Sequence, residues 1–214
     1  MSTAAQGPLE RRTIVATALA IVDAEGLEAL SMRRLARTLG VAPMSLYRHV
    51  RDKDEVLALV AEAVAELVAS PAEDLSWHEA AAALCRSVRA VLLDHRGVAR
   101  LLLGPIPFTP AVLRLTETLL GNLARAGLRP AQAAAAHEAL WMLTVGSVIV
   151  EQAPLAGADA APMREQLARA TQTVGSQLPA LAAALPHWAA LRQGQAFDLG
   201  LELLLDGLRR SVQP

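Results

Sequence analysis

The 214 residues include a single cysteine, Cys85, so no disulfide can form within the chain and a reducing compartment suits it. Cys85 lies in an apolar helical run and reads as a small buried hydrophobe. Aromatic residues make up only 3%. The alternating β-branched runs that build sheets are missing, so an all-α fold is expected. The longest apolar run, 139–150, falls well short of the ~20 residues that span a bilayer. Near the N-terminus Arg11-Arg12 and TIVATALAIV imitate a secretory leader, but Asp23, Glu25 and Gly26 follow at once. A leader needs a longer apolar stretch and a small-residue cleavage site. A cytoplasmic protein without a membrane partner is therefore expected. The net charge is only −1, which argues against coating nucleic acid along the whole surface. Paired carboxylates with a cleft signature, metal-ligand spacing and nucleophile motifs are also missing. Neither catalysis nor a metal or cofactor is expected.

What is present is alanine and leucine in helical periodicity, with 53% of the chain hydrophobic. The charge is unevenly placed. Residues 1–53 hold eight Lys and Arg against five Asp and Glu, whereas 54–214 hold twelve against sixteen. A basic head on an acidic body suits a module that meets phosphate at one end only. Within the head, 31–50 carries two short helical patterns back to back. Ser31 is a good N-cap for the first, and Leu35, Ala36 and Leu39 recur at helical spacing. Gly40 supplies a left-handed stop, and Pro43 fits the first position of the second helix. Leu46 and Val50 form an apolar stripe opposite Met44, Tyr47, Arg48 and His49. This is the pattern of a helix-turn-helix DNA reader. On the pattern alone, a helical hairpin with a solvated basic side stays open.

The spacing predicts a first helix over 9–24, preceded by disorder at 1–8, with Arg11 and Arg12 near its start. Basic residues there oppose the helix dipole, which leaves phosphate contact or chance surface placement as their reason. Asp52 and Glu55 form a capping-box arrangement for a helix over 53–69. The chain thus divides into a helix-turn-helix domain at 1–53, a linker helix at 54–70 and a helical body at 71–214. In the body, helices are expected from the Ser76 cap to 94, from 96 to 104, and over 109–126, 131–152, 163–178 and 195–210. A loop is expected at 153–162, and 179–193 reads as irregular or short-helical. The helix over 131–152 is apolar almost all round. The last carries an acidic stripe at Asp198, Glu202 and Asp206, with Gly200 and Gly207 two turns apart. Two such helices suit a four-helix bundle shared by two chains, with Gly146, Gly200, Leu204 and Gly207 at the contact. A monomeric core is the alternative. The stripe lacks convergent partners for a cation and reads as a solvated face.

The run of Ser31, Arg33, Leu35-Ala36, Leu39-Gly40-Val41, Leu46-Tyr47, His49 and Lys53 resembles the TetR family of transcriptional regulators. In the body the chain is similar to the tetracycline-repressor branch of that family, at Leu92-Leu93-Asp94-His95-Arg96, Leu103-Gly104, Ala126-Gly127, Gly146 and 197–203. The resemblance implies an all-helical homodimer that blocks a palindromic operator and lets go when a small molecule binds. By family position Arg33 would read a guanine, beside Ser31 and Met32 at the start of its helix. Tyr47, His49 and Lys53 would hold phosphates, while Pro43, Met44 and Arg48 would face bases or backbone. Pro43 and Met44 stand where that branch offers polar groups, so apolar contact with thymine methyls is expected.

The implied pocket departs from that branch. Leu102 falls where its metal-holding histidine stands, Leu84 near its drug-binding asparagine, Thr118 at a glutamine, and Val150 near an acidic residue. A magnesium chelate needs hard ligands, so the expected inducer is largely apolar and metal-free. Its expected lining is Leu84, Val88, Leu92, Leu102 and Trp141, with Thr118, Thr144 and His137 as polar groups. His95 reads as a helix cap. An activator or co-regulated repressor of the same fold stays open as an alternative, and a helical ligand-binding protein without DNA less so.

Overall fold

The computed structural model describes residues 9–95, 97–102, 108–152, 165, 168–169, 172, 177–190 and 194–212. The expected disorder at 1–8, the loop at 153–162 and most of the helix expected over 163–178 lie outside them. Among the described residues there are α-helices and no strand. In order they are α1 (Arg11–Glu25), α2 (Met32–Leu39), α3 (Pro43–Leu46), α4 (Lys53–Ala65) and α5 (Trp77–Asp94). There follow α6 (Val98–Leu101), α7 (Pro110–Arg125), α8 (Pro130–Gln152), α9 (Pro179–Ala190) and α10 (Gln195–Val212).

The head is built by its local signals. Ser31 Oγ accepts from Arg34 N at 3.1 Å, and Gly40 closes α2 at φ 67°, a left-handed conformation that a side chain would strain. Pro43 opens α3, which is a single turn. Ile14, Ala18, Ile21, Leu35, Leu46, Val50, Val56 and Val60 are all buried, so α1 to α4 share one small core. Asp52 caps α4, its Oδ1 accepting from Glu55 N at 2.8 Å. The reciprocal half of the expected box is absent. Glu55 Oε2 instead accepts from Arg51 N, also at 2.8 Å. α4 also stops four residues short of the expected 69. Pro71 disfavours helix in the residue before it, and Ala69 N donates to Ser87 Oγ of α5 at 2.9 Å, drawing the backbone out of its helical path.

In the body, Ser76 and Glu79 form a full capping box on α5. α8 packs against α5, α7 and α10. It has 23 residues and a mean hydropathy of 1.5, long and apolar enough by length and composition to cross a membrane. Here it is a core helix on one side: Ala133, Ala136, Leu140, Thr144 and Val148 are buried at spacings of three and four. Met142 and Val150 on its other side are 60% and 67% exposed, as are Leu199 and Leu203 of α10 at 58% and 60%. The acidic stripe of α10 is not simply solvated. Asp198 lies 3.4 Å from Arg86 and Asp206 3.7 Å from His78, both on α5. Of the two alternatives for 179–193, the helical one holds over Pro179–Ala190, which is α9.

Candidate functional site

The helix-turn-helix presents one exposed face. Arg33, Pro43, Met44, Tyr47 and Arg48 are exposed, and His49 and Lys53 half-buried. Arg33 and Arg48 make no ion pair among the described residues, so both guanidiniums are available to an anion. Arg34, next in sequence, is turned the other way onto Glu25 of α1. Ser31 serves as the cap of α2, and Met32 packs against the core of the head. Ser31 is nonetheless exposed and Met32 half-buried, beside the exposed Arg33. Arg11 and Arg12 meet carboxylates in the chain itself, Glu55 and Glu10.

Behind the head lies a cavity of about 210 Å³ bounded by α4, α5, α6, α7 and α8. Leu84, Val88, Leu92, Leu102, His137, Trp141 and Thr144 all line it. Thr118 does not. It donates to Arg114 O at 2.8 Å and borders a groove on the outer side of α7 with Glu66 and Glu117. Two residues on a helix are about 200° apart, so Thr116 takes the cavity position instead. Val150 is an exposed residue of α8, away from the lining. Cys85 also lines the cavity, as does Phe108 at 77% exposure. The contribution of α4, through Ala61, Val64 and Ala65, has no signal in the sequence, because periodicity marks a helix's apolar face and not what that face borders.

Polar groups are few. Thr144 Oγ1 donates to Leu140 O at 2.7 Å and neighbours the Cys85 thiol. Burial pushes that thiol up to about 11, so it stays protonated and unreactive. Thr116 donates to Val112 O. His137 and Glu138 remain in the lining; burial lowers the pKa of His137, Glu138 opposes the shift, and a neutral imidazole can donate at one nitrogen and accept at the other. No group of three or more metal-ligating side chains occurs among the described residues.

Cavity and reader are joined at three places. His95, the C-terminal cap residue of α5, holds Asp23 of α1 through Nδ1 at 2.8 Å. It is not among the cavity lining. Gly97, just before α6, lies so close to α1 that a Cβ there would come within 2.3 Å of Val22 Cγ1 and 2.4 Å of Val22 O. Glu62 of α4 accepts from Ala111 N in the first turn of α7 at 2.8 Å. On the far side, Arg89 of α5 pairs with Glu151 of α8, and Glu151 also accepts from Gly194 N at 3.0 Å.

The comparisons agree with this layout. Residues 14–60 match the model for "Bacterial regulatory proteins, tetR family", and 70–212 that for "Tetracyclin repressor-like, C-terminal domain". An HTH-type transcriptional regulator of Saccharopolyspora erythraea is 35% identical over 94% of this chain and 84% of its own length. The class C tetracycline repressor protein of Escherichia coli is 30% identical over 94% and 91%. The structure of ActR from Streptomyces coelicolor in complex with actinorhodin superposes with a TM-score of 0.87, at 33% identity, over 97% of this chain and 98% of that one. With an exposed helix-turn-helix joined to an apolar cavity, and with both halves matched, the chain belongs to the TetR family and is a ligand-responsive helix-turn-helix transcriptional repressor.

Proposed function

We propose that this repressor binds a palindromic operator as a homodimer and releases it when a small, largely apolar molecule enters the cavity behind the reader, with no metal taking part. The observation that carries this reading is the shared wall: Ala61, Val64 and Ala65 of α4 border the same space as Leu84, Val88 and Trp141. An occupant therefore touches directly the helix that follows the DNA-facing turn. The cavity of about 210 Å³ is below the ~300–1,000 Å³ usual for drug-sized ligands. A larger occupant has to part α4 from α7, and it shifts the equilibrium only by binding the released form more tightly. Actinorhodin, held by the similar Streptomyces protein, supports an organic ligand, and His137 supplies a polar contact for one. Residues 1–53 act as the DNA-binding domain and 71–214 as the ligand-binding and dimerisation body. Work on chromosomal DNA sets the protein in the cytoplasm.

The test is release of operator DNA, followed by gel shift across a panel of apolar aromatic compounds with and without chelator. Trp141→Ala is expected to weaken the effective compound about tenfold through lost apolar contact while leaving operator binding within about twofold. Release that required magnesium would refute the metal-free reading.

Dimerisation is supported by the exposed apolar sides of α8 and α10, with Leu204 half-buried beside them. Gly146 and Gly207 have nothing within 4 Å of a would-be Cβ, room that a second copy's helix can use. Gly200 already serves a contact inside the chain, 3.1 Å from Leu143 Cδ1. Leu203→Glu is therefore the cleaner test. It is expected to yield monomers in sedimentation and to abolish tight operator binding, since a two-fold site needs two readers about 34–36 Å apart. Unchanged dimers would exclude this interface.

A further inference from the structure

We propose that Glu55 sets the DNA selectivity of this repressor by holding Arg11 and Arg51 away from the phosphates that any sequence offers. The inference rests on the DNA-binding reading above and concerns a residue outside the base-reading face. The carboxylate of Glu55 takes Arg11 Nη2, Arg51 Nε at 3.1 Å and Arg51 N at 2.8 Å. It is not needed as the cap of α4, because Asp52 already fills that role. Its own side chain is only 16% exposed, whereas those of Arg11 and Arg51 are 53% and 84% exposed. Both guanidiniums are thus held by one carboxylate at the protein surface, that of Arg51 two residues from Lys53.

A guanidinium matches carboxylate and phosphate with the same forked geometry. Glu55 and a DNA phosphate are therefore direct competitors for each arginine. The hydrogen bonds from Arg51 lower the pKa of Glu55 further below the neutral range, so the carboxylate carries its full charge toward both arginines. Affinity for random DNA follows the number of phosphates neutralised, with a salt slope of about −0.9 per contact. Withholding two arginines lowers that background without touching Arg33, which makes no ion pair among the described residues. The ratio of specific to random binding rises as a result.

The experiment measures binding of the full chain to a random-sequence duplex by fluorescence anisotropy between 50 and 200 mM salt. Glu55→Gln keeps the shape of the side chain and an oxygen that can accept from Arg51 N. It is expected to steepen the slope by about 0.9 for each arginine released, so that its advantage over the parent is largest at 50 mM and shrinks about 3.5-fold per arginine by 200 mM. Adding Arg11→Gln and Arg51→Gln to it should restore the shallower slope. Asp54→Asn supplies the charge control, since Asp54 is exposed and forms no ion pair among the described residues. A Glu55→Gln slope no steeper than that of Asp54→Asn would overturn the proposal. Arg11→Gln and Arg51→Gln in the parent background give a second readout that keeps Glu55 intact. Unchanged slopes are expected, and a flattening would show that the arginines already bind phosphate and overturn the proposal. Failure of both the parent chain and Glu55→Gln to bind the duplex at 50 mM salt would instead overturn the DNA-binding reading itself.

Discussion

Gly97→Ala is expected to destabilise the fold by about 1–3 kcal/mol, the range for overpacking a tight contact, and to weaken operator binding with it. The added methyl would fall 2.4 Å from the Val22 carbonyl oxygen. That atom is backbone and cannot turn aside as a side-chain tip can. Either α6 lifts from α1 or the end of α1 shifts, and Asp23 in that same end is held by His95. α6 in turn borders the cavity through Val98, so the strain is delivered where ligand and reader meet. Gly121→Ala is the control. It sits inside α7 with nothing within 4 Å, and alanine there should stabilise by about 0.5–1 kcal/mol. Thermal unfolding and gel shift measure both. Equal behaviour of the two variants would show that the contact at Val22 yields without cost.

Arg33→Ala is expected to cost roughly 1–3 kcal/mol of operator binding and to relax discrimination at one base pair. Its neighbour Arg34 is bound to Glu25, so that guanidinium is not free to take over. Lys53→Ala should act differently, weakening all sequences alike and reducing the salt slope by about one. Binding to a library of single-base operator variants separates the two. If Arg33→Ala weakened specific and random DNA equally, Arg33 would be a phosphate contact and not a base reader.

The parts of the molecule legible in the sequence are those decided within a few residues. Ser31, Gly40, Pro43, Asp52 and Ser76 cap or stop their helices where expected, because a cap needs only its own turn. The cavity was legible on α5 and α8 through the family resemblance, which led to Leu84, Val88, Leu92 and Trp141, all of them in the lining. On α7 it was not. Thr116 and Thr118 are chemically alike, and only the direction from which α4 and α8 approach decides which one is enclosed. Glu55 shows the same limit. Its spacing from Asp52 matches a capping box, yet its carboxylate turns to Arg51 and Arg11. Arg11 is 44 positions away in sequence and invisible to any local rule. The acidic residues of α10 likewise found partners, Arg86 and His78, only through the packing of α10 on α5.

The hydrogen bond from Ala111 N to Glu62 gives the switch a restoring force. Proline at the start of α7 removes one donor from that turn, and Glu62 satisfies the next from a different helix. Any motion that draws α4 away from α7 leaves an amide at a helix start without its carboxylate, and a bond of this charged kind contributes about 1.5–3 kcal/mol. By that measure a ligand that parts the two helices must favour the parted form by roughly ten- to a hundredfold merely to break even. Weak or undersized molecules that slip into the cavity would then leave the helices closed. On the proposed mechanism that bond would act as a threshold, passed only by an occupant large enough, and bound tightly enough, to hold the gap open.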